Sequence, residues 1–280
     1  MLNEPIVLRD LLNEYHSVDL GYYPDGTPYV KADIDADNHW ELIVRPRNIG
    51  DFVAAMFLVD SITERGGNVW RLVLPCIPGA RQDRINPTGD TLFSAKSIAK
   101  MINDRNFESV RVLDPHSEVS AALIDRCQVT QPWEIYDVRF AFRRDYDAVV
   151  IPDLGAVKRA TALAEVLNIP TIQGLKHRDV ATGKLSGFSL SMDDLAALET
   201  RKGKHVLVAD DLCDGGWTFT GLAEEIQAEE MTADLYVSHG IFSKGLGDLA
   251  KSYRKIFTTD SYLHGLEHES LHILEITSEL

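Results

Sequence analysis

Asp210 and Asp211 stand side by side after the apolar run Val206-Leu207-Val208-Ala209, and Asp214-Gly215-Gly216-Trp217-Thr218 follows them. Adjacent carboxylates can hold the hydroxyls of a sugar or a divalent metal. Backbone N–H groups in a Gly-rich turn that opens a helix suit phosphate oxygens. One segment therefore offers a sugar site beside an anion site. The competing reading is an acidic turn with no ligand. It is weak, because neighbouring carboxylates repel unless something neutralises them. A second concentration of charge, Arg81-Gln82-Asp83-Arg84, comes after the apolar run Val69–Leu74 and the turn Pro75–Ala80. An Arg fork can grip phosphate in a bidentate way. Taken alone, a solvated charge run is the better reading of that cluster.

These groups need elements to aim them, and the chain alternates strand-like with helix-like segments. That alternation predicts a parallel α/β layout. Strands are expected at Glu41–Arg45, Val69–Leu74 and Ser109–Leu113, with helices at Ile49–Arg65, Ser94–Asn103 and His116–Arg126. A second round then starts. It places strands at Ala148–Ile151, Thr171–Lys176, Val206–Ala209, Leu235–Ile241 and Ile256–Thr259, and helices at Ala156–Leu167 and Phe219–Ala228. Both charged motifs then lie beyond the carboxyl ends of strands, where open sheets bind ligands. The polar stretch 176–204, with Gly183 and Gly187, is long for a plain connection. A mobile lid fits it, and so does a β-hairpin excursion.

A chain of 280 residues has room for two domains, and 45% hydrophobic with 25% charged residues is ordinary globular composition. The net charge of −15 argues against broad nucleic-acid or anionic-membrane binding. It leaves room for a nucleotide held by a few local cations. Cys76, Cys127 and Cys213 have no metal or disulfide spacing, which suits a reducing cytoplasm. No signal-like N-terminus or membrane-length apolar run is present.

Further motifs stand in order along the chain. Val73-Leu-Pro-Cys-Ile-Pro-Gly-Ala-Arg-Gln-Asp-Arg84, then Phe93-Ser-Ala-Lys-Ser-Ile-Ala, is similar to the ATP-site region of ribose-phosphate diphosphokinases, PYFGYARQDR then ISAKLVA. Tyr23-Pro-Asp25-Gly26 resembles that family's FxDGE, and Leu113-Asp-Pro-His116 its DLH. Pro152-Asp153-Leu-Gly-Ala-Val-Lys-Arg159-Ala resembles PDxGGxxRA, and Lys176-His-Arg178 resembles KxR. Ser238-His239-Gly240-Ile-Phe-Ser243 resembles THGxFS, and the acidic segment resembles the DDxxDTGGT ribose-phosphate loop. The colinear set, from about residue 20 to 262, is far more specific than the Asp-Asp motif, which fits many phosphoribosyltransferases.

The resemblance implies two phosphoribosyltransferase-like domains, each a mostly parallel sheet flanked by helices. It places them at 1–142 and 143–262, with the tail 263–280 returning to the first domain. It implies transfer of the diphosphoryl group of ATP to the anomeric hydroxyl of a ribose 5-phosphate-type acceptor, with Mg2+. By that resemblance Tyr23, Asp25, Arg81, Gln82 and Asp83 bind ATP, and His116 and Asp153 lie by the metal. Lys176, Arg178 and His116 are the catalytic set. Asp210, Asp211, Asp214, Gly215, Gly216, Trp217 and Thr218 take the acceptor. Tyr23 and Asp25 would serve a neighbour's ATP site, so self-association as a dimer or larger, up to a hexamer, is implied. Taken singly, His116 reads as a helix-cap residue and Tyr23 as a half-buried turn aromatic.

Departures from the family pattern matter. Gly215 replaces the first Thr of the phosphate loop and Trp217 the small residue before Thr218. Trp217 either stacks on a base and widens the site, favouring ADP-ribose as acceptor, or packs into the core around a simple phosphate. Thr27 replaces a Glu, the IQGFF pattern after His116 is missing, and no final helix is expected after Leu274. Two other functions compete: a nucleobase phosphoribosyltransferase, which has no use for Arg81–Arg84, His116 or Lys176, and a non-catalytic regulatory homologue.

Overall fold

The computed structural model describes residues 4–280 apart from 36–37, 87–88, 90–91, 143–145, 179–184, 199–202, 263–264 and 277–279, and apart from the side chains of residues 136, 137, 140, 178, 185 and 186. The chain divides into two compact units. The first comprises Met1–Gln131 with Ser261–Leu263 and Thr277–Leu280, the second Pro132–Asp260 with His264–Ile276. The expected division at 142/143 thus falls inside the second unit. Its cause is Phe142, which is buried with its ring 5.1 Å from those of Tyr236 and Phe257.

The first unit is built on β1 (Ile6–Arg9), β2 (Tyr15–Ser17), β3 (Asp19–Tyr22), β4 (Pro28–Lys31), β5 (His39–Val44), α1 (Ile49–Glu64), β6 (Asn68–Val73), α2 (Ser94–Asn103), β7 (Ser109–Leu113), α3 (Glu118–Ala122) and β8 (Cys127–Thr130). Its main sheet runs β2-β1-β5-β6-β7-β8, parallel from β5 to β8 and antiparallel at β1 and β2. Alternation sends Trp40, Leu42 and Val44 of β5 to one face, where they meet Phe52, Met56 and Val59 of α1. The Asn48 side chain caps α1 by accepting from the Asp51 N–H at 3.1 Å. Gly66, at φ +91, ends it with Gly67 N–H on the Ile62 carbonyl, a turn that needs the left-handed region.

Strands β3 and β4 form a separate antiparallel hairpin. Tyr22 ties it to α1 by donating its hydroxyl to the Asp51 carboxylate. The expected helix His116–Arg126 is only five residues long, Glu118–Ala122. Val119 is exposed and Ser120 is the buried member, so the segment has no apolar stripe to extend it. Arg126, at φ +54, then turns the chain into β8, an edge strand parallel to β7.

The second unit carries α4 (Tyr136–Ala141), β9 (Ala148–Ile151), α5 (Val157–Leu167), β10 (Thr171–Arg178), β11 (Leu185–Leu190), α6 (Met192–Ala197), β12 (His205–Cys213), α7 (Trp217–Ala228), β13 (Thr232–Gly240), α8 (Gly247–Ser252), β14 (Ile256–Thr259) and β15 (Leu271–Leu274). Its sheet runs β11-β10-β9-β12-β13-β14-β15, with β11 antiparallel and the other pairs parallel. Buried Val206 and Val208 of β12 and Leu235 and Val237 of β13 pack with Phe219, Leu222 and Ile226 from α7.

Two features of this unit, the length of β12 and the path of the tail, differ from the sequence expectation, while the 176–204 stretch holds the hairpin that the sequence allowed. β12 continues four residues past Ala209, so Asp210 and Asp211 lie within the strand rather than after it. Pairing with β13 sustains it, through Leu212 opposite His239 and Cys213 opposite Gly240. The stretch 176–204 holds an antiparallel β10–β11 hairpin and the helix α6, capped by Ser191; residues 179–184 and 199–202 of it lie outside the described set. In the tail, Leu271–Leu274 adds a parallel strand to β14 in the second unit, and Thr277–Leu280 groups with the first. Among the described residues no helix is long and apolar enough to cross a membrane.

Candidate active site

The carboxyl edge of the second sheet gathers the charged residues. Asp210 and Asp211 sit near the end of β12, with side chains 13% and 6% exposed. Arg159, in the first turn of α5, brings Nη1 to 3.3 Å from Asp210 Oδ1 and 3.4 Å from Asp211 Oδ1. This guanidinium answers the repulsion of the two adjacent carboxylates. Burial, then the Asp211 charge, pushes Asp210 well above the usual carboxylate range, and Arg159 opposes that rise. Burial likewise lifts the Cys213 thiol to about 12, with Asp214 and Asp210 adding to it. Cys213 is a packed neutral thiol, so the site holds no thiolate nucleophile there.

β9 delivers Asp153 to the same edge. Its Oδ1 accepts from the N–H groups of Gly155 at 2.8 Å and Ala156 at 3.3 Å, capping the turn that leads into α5. Its Oδ2 lies 2.6 Å from Nζ of Lys176, which projects from β10 next in the sheet. Burial raises the Asp153 carboxyl, but Lys176 and the two N–H groups outweigh it and hold it below the usual range. Arg178 follows on β10, beyond an irregularity in the pairing at His177 and Arg178, and its side chain is outside the described set.

The turn after β12 is fixed by backbone bonds to the end of β13. Ile241 and Phe242 N–H donate to the Cys213 carbonyl, and Ser243 N–H to that of Asp214. Gly216 takes φ +82 and starts α7 at Trp217. The first N–H groups of a helix have no partner within it, so the turn presents donors. Gly215 is not in the left-handed region, and a Cβ there would meet Lys244 and Trp217 at an ordinary 3.7 Å. The backbone therefore does not demand glycine at 215, and a side chain would fit there. Trp217 is 79% exposed, which overturns the core-packing reading of this side chain.

In the first unit, Tyr23 is 57% exposed at the hairpin tip, its ring 5.2 Å from that of Tyr29. Asp25 accepts from the Thr27 N–H at 2.9 Å, and that bond holds its carboxyl below the usual range. Arg81, Gln82 and Asp83 lie past the end of β6. The Gln82 side chain accepts from the Ser94 hydroxyl, and its carbonyl from Ala95 N–H at 3.2 Å, tying this turn to α2. His116 is exposed past the end of neighbouring β7, where Leu113 N–H donates to the Pro75 carbonyl at 3.1 Å. Residues 81–83 and His116 thus follow adjacent strands of the main sheet, while Tyr23 and Asp25 stand on the separate hairpin.

A model of the phosphoribosyl transferase domain matches residues 131–259. The ribose-phosphate pyrophosphokinase of Pyrococcus furiosus is 25% identical over 251 residues, covering 88% of this chain and 86% of its own length. That of Maricaulis maris is 28% identical over 250 residues, covering 85% of this chain and 77% of its own. Over most of its length the chain is thus similar to ribose-phosphate pyrophosphokinases. A crystal structure of phosphoribosylpyrophosphate synthetase from Mycobacterium smegmatis matches it with a TM-score of 0.77 at 19% identity, over 94% of this chain and 87% of that one. The match shows that this chain has the same fold, two phosphoribosyltransferase-like units of mostly parallel sheet flanked by helices.

Asp153 joins Lys176, and Asp210 joins Asp211, within the second unit. His116 belongs to the first unit and Asp153 to the second, so neither unit by itself assembles the expected metal pair. Among the described residues, ligand atoms of Asp10, Glu14 and His16 lie within 4.8 Å of one another. Asp10 already accepts from Leu12 and Glu14 N–H and contacts His16, so this group is a turn clasp. Sequence reasoning gave Arg159 no role. The signal available was its place in the PDxGGxxRA-like motif, six residues after Asp153.

Proposed function

We propose that the chain transfers the diphosphoryl group of ATP to the anomeric hydroxyl of a ribose 5-phosphate-type acceptor and releases AMP. The acceptor oxygen bonds to the β-phosphorus, the bond from that phosphorus to the α,β-bridging oxygen breaks, and the hydroxyl proton is released. The enzyme class and the coarse reaction rest on the family, whose relatives carry the name ribose-phosphate pyrophosphokinase. In this reading Tyr23 stacks on adenine, Asp25 bonds it, and Arg81, Gln82 and Asp83 hold the nucleotide, with Tyr23 and Asp25 serving a second copy in a homo-oligomer. Asp210 and Asp211 accept from the ribose hydroxyls. The turn 214–218 holds the 5-phosphate with backbone N–H groups. Lys176 and Arg178 place positive charge on the moving phosphates, and His116 faces the same phosphates.

The donors suit Mg2+, a hard cation that takes one or two carboxylates together with substrate phosphates and water. Asp153 already holds a cationic group, the Lys176 ammonium at 2.6 Å, so its carboxylate is placed to neutralise positive charge. Bound Mg2+ would supply charge neutralisation on the phosphate oxygens.

Exposure of Trp217 is the observation that favours an extended acceptor. Its ring stands beside Gly215 and Gly216 with 79% of its surface in solvent, open to a base attached beyond the 5-phosphate. ADP-ribose has such a base. Mass spectrometry of ATP and Mg2+ with ribose 5-phosphate or ADP-ribose tests both levels. AMP formation establishes diphosphoryl transfer, and the product mass names the acceptor. No AMP with either acceptor would reject the reaction and return the nucleobase phosphoribosyltransferase and the non-catalytic homologue.

A further inference from the structure

Consecutive residues of a regular strand point to opposite faces. Asp210 and Asp211 are consecutive in β12, yet both Oδ1 atoms reach one nitrogen, Nη1 of Arg159, at 3.3 and 3.4 Å. All three side chains are largely withdrawn from water, at 14%, 13% and 6% exposed. Asp210 Oδ1 also accepts from the Asp211 N–H at 2.9 Å, which locks the first carboxylate against the strand. Nη1 of Arg159 is carried on the first turn of a helix, which holds it between the two carboxylates.

We propose that Arg159 is a positioning residue that holds Asp210 and Asp211 as one convergent pair for the vicinal hydroxyls of the acceptor sugar. The inference rests on the proposed acceptor site and adds to it the group that organises the pair. Without Arg159 the repulsion between the two buried carboxylates grows, and they separate or take up a proton. Either change removes an acceptor from the sugar and leaves the nucleotide contacts of the first unit untouched.

Arg159→Gln and Arg159→Lys separate this role from general structure. Ribose 5-phosphate and ADP-ribose binding by calorimetry, both KM values and the melting temperature are measured for each. Arg159→Gln should raise the Kd and KM for the acceptor about tenfold, the worth of one charge-assisted contact. Arg159→Lys, with charge but no fork, should raise them about threefold. The KM for ATP should stay within about twofold of wild type in both. Unchanged acceptor affinity in both variants overturns the proposal, and so does an ATP KM that rises as much as the acceptor KM. If Arg159→Gln does not fold, Arg159→Lys is judged by the same criteria. An active wild type with unaffected variants refutes Arg159 alone. A wild type that binds neither acceptor and forms no AMP refutes the proposed function, and this inference with it.

Discussion

Nζ of Lys176 lies 2.6 Å from Oδ2 of Asp153, while Oδ1 of that carboxylate caps the turn at Gly155 and Ala156. The cation expected to act on the moving phosphate is thus held by the carboxylate expected beside the metal.

Lys176→Ala should lower kcat for AMP release by about 10²–10³-fold, the usual loss when one transition-state donor is removed. Arg178→Ala should act in the same direction. The KM values should change far less, because the charge is needed mainly as the phosphoryl group moves. Steady-state kinetics beside circular dichroism would check this, and near-normal turnover in both variants would remove Lys176 and Arg178 from the mechanism.

Asp210→Asn should stabilise the fold while damaging acceptor use. Burial and the Asp211 charge raise the folded pKa of Asp210 above its unfolded value, so ionised Asp210 costs stability at pH above the folded pKa. That cost fades as pH falls and is gone below the unfolded value of about 3.9. At neutral pH the gain should be about 1 kcal/mol, or about 2–4 °C in melting temperature. Scanning calorimetry of both proteins from pH 8 downward should show the advantage shrinking with acid. A less stable Asp210→Asn protein at neutral pH contradicts the electrostatic account.

Trp217→Ala should hardly affect stability, within about 0.5 kcal/mol, since the ring is 79% exposed. It should reduce kcat/KM for ADP-ribose about tenfold to a hundredfold, the worth of about 1–3 kcal/mol of base stacking. Ribose 5-phosphate should be far less affected. Equal loss for both acceptors would make Trp217 a passive part of the turn.

At the amino ends of β12 and β13, Asp234 is 2% exposed in its side chain, and its Oδ2 lies 3.1 Å from His205 Nε2. Tyr146 donates to the same oxygen at 2.9 Å and stacks on the His205 ring. The His205 nitrogen is close enough for an ion pair but out of line for a hydrogen bond. Burial raises the Asp234 carboxyl, and these partners more than reverse that, leaving it below its usual range. Its contribution is therefore fully present above the unfolded pKa of about 3.9 and lost as pH falls through the lower folded value. Asp234→Ala should cost about 2 kcal/mol at neutral pH. Urea titrations at pH 7 and pH 3 should show the deficit narrowing in acid, and a constant deficit would mean that packing alone is lost.

Much of this molecule is written in local order. Alternating apolar runs and helical stretches locate β5, β6, β7, β9, β12, β13 and β14 and the helices α1, α2, α5 and α7, because buried parallel strands and amphipathic helices each impose their own spacing. The colinear motifs pointed to the ribose-phosphate pyrophosphokinases, to which the chain is similar over most of its length. Short strands at or next to the sheet edges were not legible. β1, β8 and β15 are short, and only pairing with β5, β7 and β14 makes them strands.

By itself the sequence determined the chemistry on offer: two adjacent carboxylates, a Gly turn with Trp217, and the cations at 176 and 178. Tertiary structure decided how those groups are used. β12 continues through Asp210 and Asp211 because β13 is there to pair with it. Arg159 meets them from a helix 51 residues earlier in the chain, a closeness that no local pattern encodes. Trp217 is in solvent rather than in the core because Gly216 turns left-handed and α7 buries Phe219 and Leu222 in its place. Those choices follow from packing and charge compensation between distant segments, which exist only once the chain has folded.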